Sequence, residues 1–156
     1  KIQSSSIVSV HLFFKNNIKE SVIPDNSFGM TGLIGTQVQW IFKRNDHHLS
    51  LVISGADEIG ITEMSSDEIY KLCLKELKQT ISEFDENEIS DYKVIKEKRA
   101  TFIPDNESVN FRPKQKTRFR NFFIAGDWTD TGLPATIESA AKSSKICAEA
   151  IYNISR

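Results

Sequence analysis

Residues 6 to 14 alternate, with Val8, Val10, Leu12 and Phe14 on one face and Ser9, His11 and Phe13 on the other. A period of two is that of a strand with one face buried. The pattern returns in residues 37–43, where Val38, Trp40 and Phe42 share a face, and in residues 48–54, through Leu49, Leu51 and Ile53. Lys43-Arg44-Asn45-Asp46 between them has turn chemistry, so the two runs are expected to form a β-hairpin, with His47-His48 in its solvated turn. Pro24-Asp25-Asn26-Ser27 suits a turn. Gly29, Gly32 and Gly35, spaced by Met30, Leu33 and Ile34, suit a bent strand that its neighbour approaches closely. The first third is therefore expected to be an antiparallel sheet of three or four strands.

The period then lengthens. Ser65 followed three residues later by Glu68 is a capping box, and Ile69, Leu72, Cys73, Leu77, Ile81 and Phe84 recur at helical spacing, which predicts a helix over about 66–84. Another strand should run from Tyr92 to Ile103 and stop at Pro104, with residues 104–120 a polar loop. Phe122-Phe123-Ile124-Ala125 is a short continuous apolar run, which suits a strand buried on both faces. From Pro134 a helix is expected to about Asn153, one face of which (Ile137, Ala140, Ala141, Ser144, Ala148, Ile151) is small enough for close approach to a sheet or ligand.

With 39% hydrophobic and 26% charged residues a packed core is attainable. Twenty Lys and Arg against 21 Asp and Glu leave a net charge of −1, which argues against a nucleic-acid partner held by a basic face. No apolar run approaches the length of a membrane span. Cys73 and Cys147 lie far apart in helical contexts and build neither a disulfide framework nor a zinc site; His11, His47 and His48 lack ligand spacing, so no metal is expected. The chain starts Lys1-Ile2-Gln3 without a methionine, and is expected to be a piece of a longer protein.

Chemistry concentrates between Phe122 and Ala140. An apolar strand ending in Gly126-Asp127, then a loop and a helix start, places a carboxylate where it can accept hydrogen bonds from sugar or ribityl hydroxyls. The helix N-terminus offers unpaired N–H groups and partial positive charge to a phosphate or to a flavin oxygen that becomes negative on reduction. From the residues alone, a plain strand–loop–helix connection with Asp127 capping a turn stays open.

Residues 122 to 150 resemble the C-terminal FAD-binding segment of the flavin-containing amine oxidase and carotenoid desaturase superfamily, most closely in Ala125-Gly126-Asp127-Trp128-Thr129 and Thr136-Ile137-Glu138-Ser139-Ala140. Upstream, residues 32–42, 49–54 and 98–102 are similar to the squalene-associated branch, the hydroxysqualene dehydroxylases. The resemblance covers nearly the whole chain and corresponds to the last third or so of such an enzyme. It implies a mixed α+β fold: part of an antiparallel substrate-binding sheet with one helix (1–103), a loop (104–120), and the C-terminal strand–loop–helix of a Rossmann-like FAD-binding domain (121–156).

The resemblance also implies a cofactor site. Asp127 would bond the ribityl chain and Gly126 would let the backbone pass beside the cofactor. Leu133, Pro134 and Ala135 would form the turn to Thr136 and Ile137, whose N–H groups lie near the pyrimidine edge in relatives. Trp128, Thr129 and Thr131 would line the connecting loop. No catalytic residue follows, since the flavin carries the chemistry. The family's G-x-G-x-x-G fingerprint is absent from these 156 residues. The chain alone is therefore expected to hold no FAD, to lack turnover and to self-associate through faces that a longer protein would cover. The implied activity is reductive removal of the hydroxyl of hydroxysqualene to give squalene. The alternatives are a phytoene or carotenoid desaturase, an amine-oxidase-like flavoenzyme, and a non-catalytic lipid- or partner-binding module. The implied location is the cytoplasm, with peripheral membrane contact suited to a water-insoluble isoprenoid.

Overall fold

The computed structural model describes residues 3–23, 29–105 and 107–154; the expected turn at Pro24–Ser27 lies outside them. By internal contacts the chain divides into Ser5–Ala100 and a second unit made of Lys1–Ser4 and Thr101–Arg156.

Five strands form one sheet in the order β2-β3-β4-β1-β5: β1 (Ser4–Phe14), β2 (Met30–Gly32), β3 (Trp40–Asn45), β4 (His48–Ser54) and β5 (Ile89–Phe102). The β3–β4 hairpin is tight, with Asn45 opposite His48, and β4 pairs antiparallel to β1, with Val10 opposite Leu51. The long β1 lies between β4 and β5. Alternation along β1 works as expected: Val8, Val10 and Leu12 are fully buried. Met30–Gly32 adds to the sheet edge with Gly32 opposite Trp40, and a Cβ on Gly32 would come within 3.2 Å of the Trp40 ring, the close approach that glycine permits.

The first helix, α1 (Ser66–Thr80), buries Ile69, Cys73, Leu74 and Leu77 in one cluster with the inward residues of the sheet. Its capping box is complete: the Glu68 N–H donates to Ser65 Oγ at 3.2 Å, and the Ser65 N–H donates to the Glu68 carboxylate at 2.7 Å. The helix ends at Thr80 rather than near 84, because Ile81 turns to an extended conformation; Phe84 is still buried, reached by a turn instead of a helix. The Glu76 carboxylate accepts the N–H groups of Gln37 and Val38, both at 2.9 Å, and so binds α1 to the chain entering β3.

Two sequence expectations fail here. Val38, Trp40 and Phe42 do not share a buried face. Val38 precedes the strand, Ile41 is the fully buried residue of β3, and Trp40 is 42% exposed. His48 is not in a solvated turn either. It opens β4, stacks on Phe13 at 4.6 Å between ring centroids, and lies with Nε2 2.9 Å from His11 Nδ1. Two imidazole nitrogens at that distance share one proton, so one must be the acceptor.

In the second unit, residues 108–111 form a single helical turn, α2 (Ser108–Phe111), within the stretch expected to be loop. The predicted strand at 121–125 is absent. Phe122 is 55% exposed, and the pairing there is a lone bridge between Phe123 and Lys116. A continuous apolar run needs neighbouring strands on both sides, and among the described residues none flanks it. The last helix, α3, spans Ile137–Ile154, so Pro134 precedes it rather than sitting in its first turn. No helix among the described residues is long and apolar enough to cross a membrane.

Two outcomes test this fold. Ser65→Ala removes one capping hydrogen bond and should lower stability by about 1 kcal/mol; a urea melt unchanged from the parent would contradict the capping role. The His pair gives a pH dependence. Burial, then the His48 neighbour and the Arg44 and Lys93 charges, hold His11 below its ordinary value, and burial with Arg44 does the same for His48. A base held down in the folded state favours folding fully above its unfolded pKa, about 6.5, and that contribution is lost as the pH falls towards the folded values. Thermal stability should therefore fall between pH 7 and 5, and His48→Phe should flatten the dependence. A parent melting curve that rises on acidification would contradict the pairing.

Candidate functional site

The segment from Gly126 to Thr136 has no regular structure, and several of its backbone polar groups are met by side chains. Gly126 donates its N–H to Ser143 Oγ at 2.8 Å, and its carbonyl accepts from Thr129 Oγ1 at 2.8 Å. Thr129, fully buried, also accepts from Gln115 Nε2 at 2.9 Å. Thr131 Oγ1 and Ser139 Oγ lie 2.7 Å apart, and Ser139 Oγ donates to the Asp127 carbonyl at 3.1 Å. Every described buried side-chain nitrogen or oxygen has a partner.

The centre of this network is Arg112. Its Nη2 donates to the Asp127 carbonyl at 2.8 Å and its Nη1 to the Leu133 carbonyl at 2.6 Å. Longer contacts of 3.4 Å run from Nε to the Trp128 carbonyl and from Nη2 to Ser139 Oγ. The guanidinium lies over Phe102, 5.3 Å from the ring centroid. Next to Arg112, Gln115 Nε2 reaches the Asp130 carbonyl at 3.0 Å, and the Pro113 carbonyl accepts the Asp130 N–H at 2.9 Å.

The residues singled out in the sequence are thus brought into one folded loop, with differing exposure. Asp127, Leu133 and Ala135 are half-buried, whereas Trp128, Pro134, Thr136 and Ile137 face solvent, Ile137 at 91% exposure. Thr129 and Thr131 are buried, so the loop is not open throughout. At Gly126 the free face is covered: a Cβ there would come within 2.5 Å of Trp128 Nε1, so the indole, not open space, occupies the position. The glycine is also needed by its φ of +154°.

Asp127 holds its backbone carbonyl inward on Arg112, while its carboxylate has no hydrogen-bond or ion-pair partner among the described residues. Thr136 caps α3, its Oγ1 accepting the Ser139 N–H at 3.3 Å and its carbonyl the Ala140 N–H at 3.0 Å. The next amides, of Ile137 and Glu138, have no acceptor within the helix and none among the described residues. Together these groups can accept hydrogen bonds from hydroxyls at Asp127 and donate to anionic or carbonyl oxygens at the positive end of α3.

The buried side of α3 is polar, made by Ser139 and Ser143. The expected small face is mostly turned outward, with Ala141, Ser144, Ala148 and Ile151 exposed. Ser139 and Ser143 are buried because they bond to the loop, which no apolar periodicity reveals. Arg112 and Gln115 were also missed, in a stretch that resembled a plain polar loop. Among the described residues no three His, Cys, Asp or Glu side chains cluster as metal ligands. Both cysteines are free, and burial pushes the Cys73 thiol up to about 12, so it stays protonated. Lys98 and Arg99 are exposed on β5.

The chain is 37% identical over 118 residues to a hydroxysqualene dehydroxylase of Zymomonas mobilis subsp. mobilis, covering 76% of this chain and 27% of that protein. It is 34% identical over 135 residues to a hydroxysqualene dehydroxylase of Rhodopseudomonas palustris (85% and 31% of the two chains). A 15-cis-phytoene desaturase of an Oncidium hybrid cultivar matches at 29% over 164 residues, covering 97% of this chain and 27% of the relative. The chain thus spans about three tenths of the length of the curated relatives it matches. In fold it is similar to the crystal structure of a protein assigned as a protoporphyrinogen oxidase from Exiguobacterium sp. 255-15, with a TM-score of 0.69 at 10% identity over 97% of this chain and 35% of the other. Residues 1–152 match the flavin containing amine oxidoreductase family, and the chain belongs to that family.

Proposed function

We propose that this chain is part of an FAD-dependent oxidoreductase acting on an isoprenoid, and that the reaction is reductive dehydroxylation of hydroxysqualene to squalene. The observation that carries the reading is the graded similarity: 33–37% identity to three hydroxysqualene dehydroxylases against 26–29% to the phytoene desaturases. The desaturases, however, align over 97% of the chain, and this favours phytoene or carotenoid desaturation as the second reading.

The 126–137 segment fits the cofactor this reading requires. A carboxylate with free lone pairs suits ribityl hydroxyls, and free N–H groups at the positive end of a helix suit the acceptor-rich pyrimidine edge. Asp127 would hold the ribityl chain, and Thr136, Ile137 and their turn from Leu133 through Pro134 and Ala135 would face the ring. Gly126 supports the site differently from the first expectation, by seating the Trp128 indole, and Thr129 supports it from beneath through Gly126 and Gln115. When bound, the flavin supplies two-electron redox chemistry; the protein supplies position, charge and exclusion of water. With no pyrophosphate-binding fingerprint in these 156 residues, the chain alone is inactive in this reading, and its exposed α3 face makes self-association expected.

Incubating the full-length protein with hydroxysqualene and a flavin reductant, and following squalene by gas chromatography, tests the reaction. Squalene formation is expected; conversion of phytoene with no action on hydroxysqualene would favour the second reading. Within the site, Asp127→Ala should weaken FAD retention by roughly 1.5–3 kcal/mol, the value of a hydrogen bond to a charged group. Flavin content after gel filtration equal to that of the parent would contradict the assignment of Asp127.

A further inference from the structure

Arg112 has an unusual set of partners. An arginine carries five N–H donors and a full positive charge. Here its recorded acceptors are neutral: the carbonyls of Asp127, Trp128 and Leu133 and the Ser139 hydroxyl. Among the described residues no carboxylate pairs with it; the ion pairs there are Lys43 with Asp46 and Lys78 with Glu86. Even the Asp127 carboxylate next to it stays unpaired, because the guanidinium takes that residue's carbonyl instead.

The geometry has a direct consequence for the loop. In a trans peptide the C=O and N–H point in opposite directions. Drawing the carbonyls of Asp127 and Trp128 onto the guanidinium therefore turns the following N–H groups away from it. The Thr129 N–H is returned to the Gly126 carbonyl at 3.2 Å, while the Trp128 N–H finds no acceptor among the described residues. The grip on the Leu133 carbonyl fixes the turn immediately before the α3 cap. One side chain thus sets both ends of the loop, 126–128 and 133–136, and leaves an uncompensated cation at its base.

We propose that Arg112 is the positioning residue of the flavin site: it holds the loop with Asp127 and the α3 amides presented outward, and its unpaired charge, acting through that loop, favours the reduced, anionic state of the flavin. The proposal rests on the reading of residues 126–137 as a flavin site. A fixed positive charge near a flavin ring is one of the means by which a protein tunes it, and the carbonyls between Arg112 and the cofactor side are polarised by the charge they hold.

The test uses the full-length holoprotein and two variants. Arg112→Lys keeps the charge but cannot span three carbonyls from one ammonium; Arg112→Gln keeps some hydrogen bonding and loses the charge. The FAD dissociation constant should rise at least tenfold in both. The flavin midpoint potential, measured by dye-coupled reduction, should move negative in Arg112→Gln and stay near the parent's in Arg112→Lys, a difference that a purely structural role would not produce. Thermal melting of the apo forms identifies a variant that fails to fold, in which case the other variant's affinity decides. Parent-like FAD affinity in either folded variant, or a potential in Arg112→Gln equal to that in Arg112→Lys, would overturn the proposal. If Asp127→Ala releases FAD while the Arg112 variants behave as the parent, Arg112 alone is wrongly assigned. If Asp127→Ala also keeps its FAD, the reading of the site fails with it.

Discussion

A loop with no ladder of its own must find partners for each buried N–H and carbonyl, since an unmet group costs as much as a lost hydrogen bond. Between Gly126 and Thr136 much of that requirement is met by side chains from two directions. Arg112 and Gln115 reach in from the preceding segment, and Ser139 and Ser143 reach back from α3. Thr129 and Thr131 close the network from within. The result is a loop whose buried side-chain polar atoms all have partners and whose outer side keeps a free carboxylate and free amides. The division between bonded and free groups is what makes the segment suited to a polar ligand.

The same network explains the character of α3. A helix normally buries an apolar stripe, but here two serines are the most buried residues, and the apolar side, with Ile137, Ile151 and Tyr152, faces outward. The exposed Phe119 and Phe122, packed edge to face at 6.5 Å, belong to the same pattern. The sheet of residues 5–100 does not share it: its core of β-branched and leucine side chains closes on α1 within the chain itself. One unit is thus a conventional sheet-and-helix core, and the other is held by hydrogen bonds around a loop.

Legibility in the sequence follows this division. The capping box at Ser65 and Glu68, the alternation of β1 and the β3–β4 hairpin are local patterns, and local patterns carry their own evidence. Alternation misled at Trp40 and Phe42, where large aromatics sit on the exposed face and the smaller Ile41 fills the core; hydrophobicity marks that a residue can be buried, not which face the register buries. The run Phe122–Ala125 was misread because a strand is defined by its neighbours. Gly126, Asp127 and Thr136 stood out because a family pattern surrounds them. Arg112 did not, since a single arginine in a polar stretch has no periodic or spacing signature, and only folding shows that three carbonyls converge on it.

In the proposed function, residues 126–137 present Asp127 and the start of α3 to a flavin. The most direct measurement is a crystal structure of the full-length protein with FAD bound. The Asp127 carboxylate is expected within hydrogen-bond distance of a ribityl hydroxyl, and the Ile137 and Glu138 amides directed at the pyrimidine edge. A flavin seated away from this segment, or an Asp127 carboxylate turned onto protein groups with the cofactor in place, would contradict it.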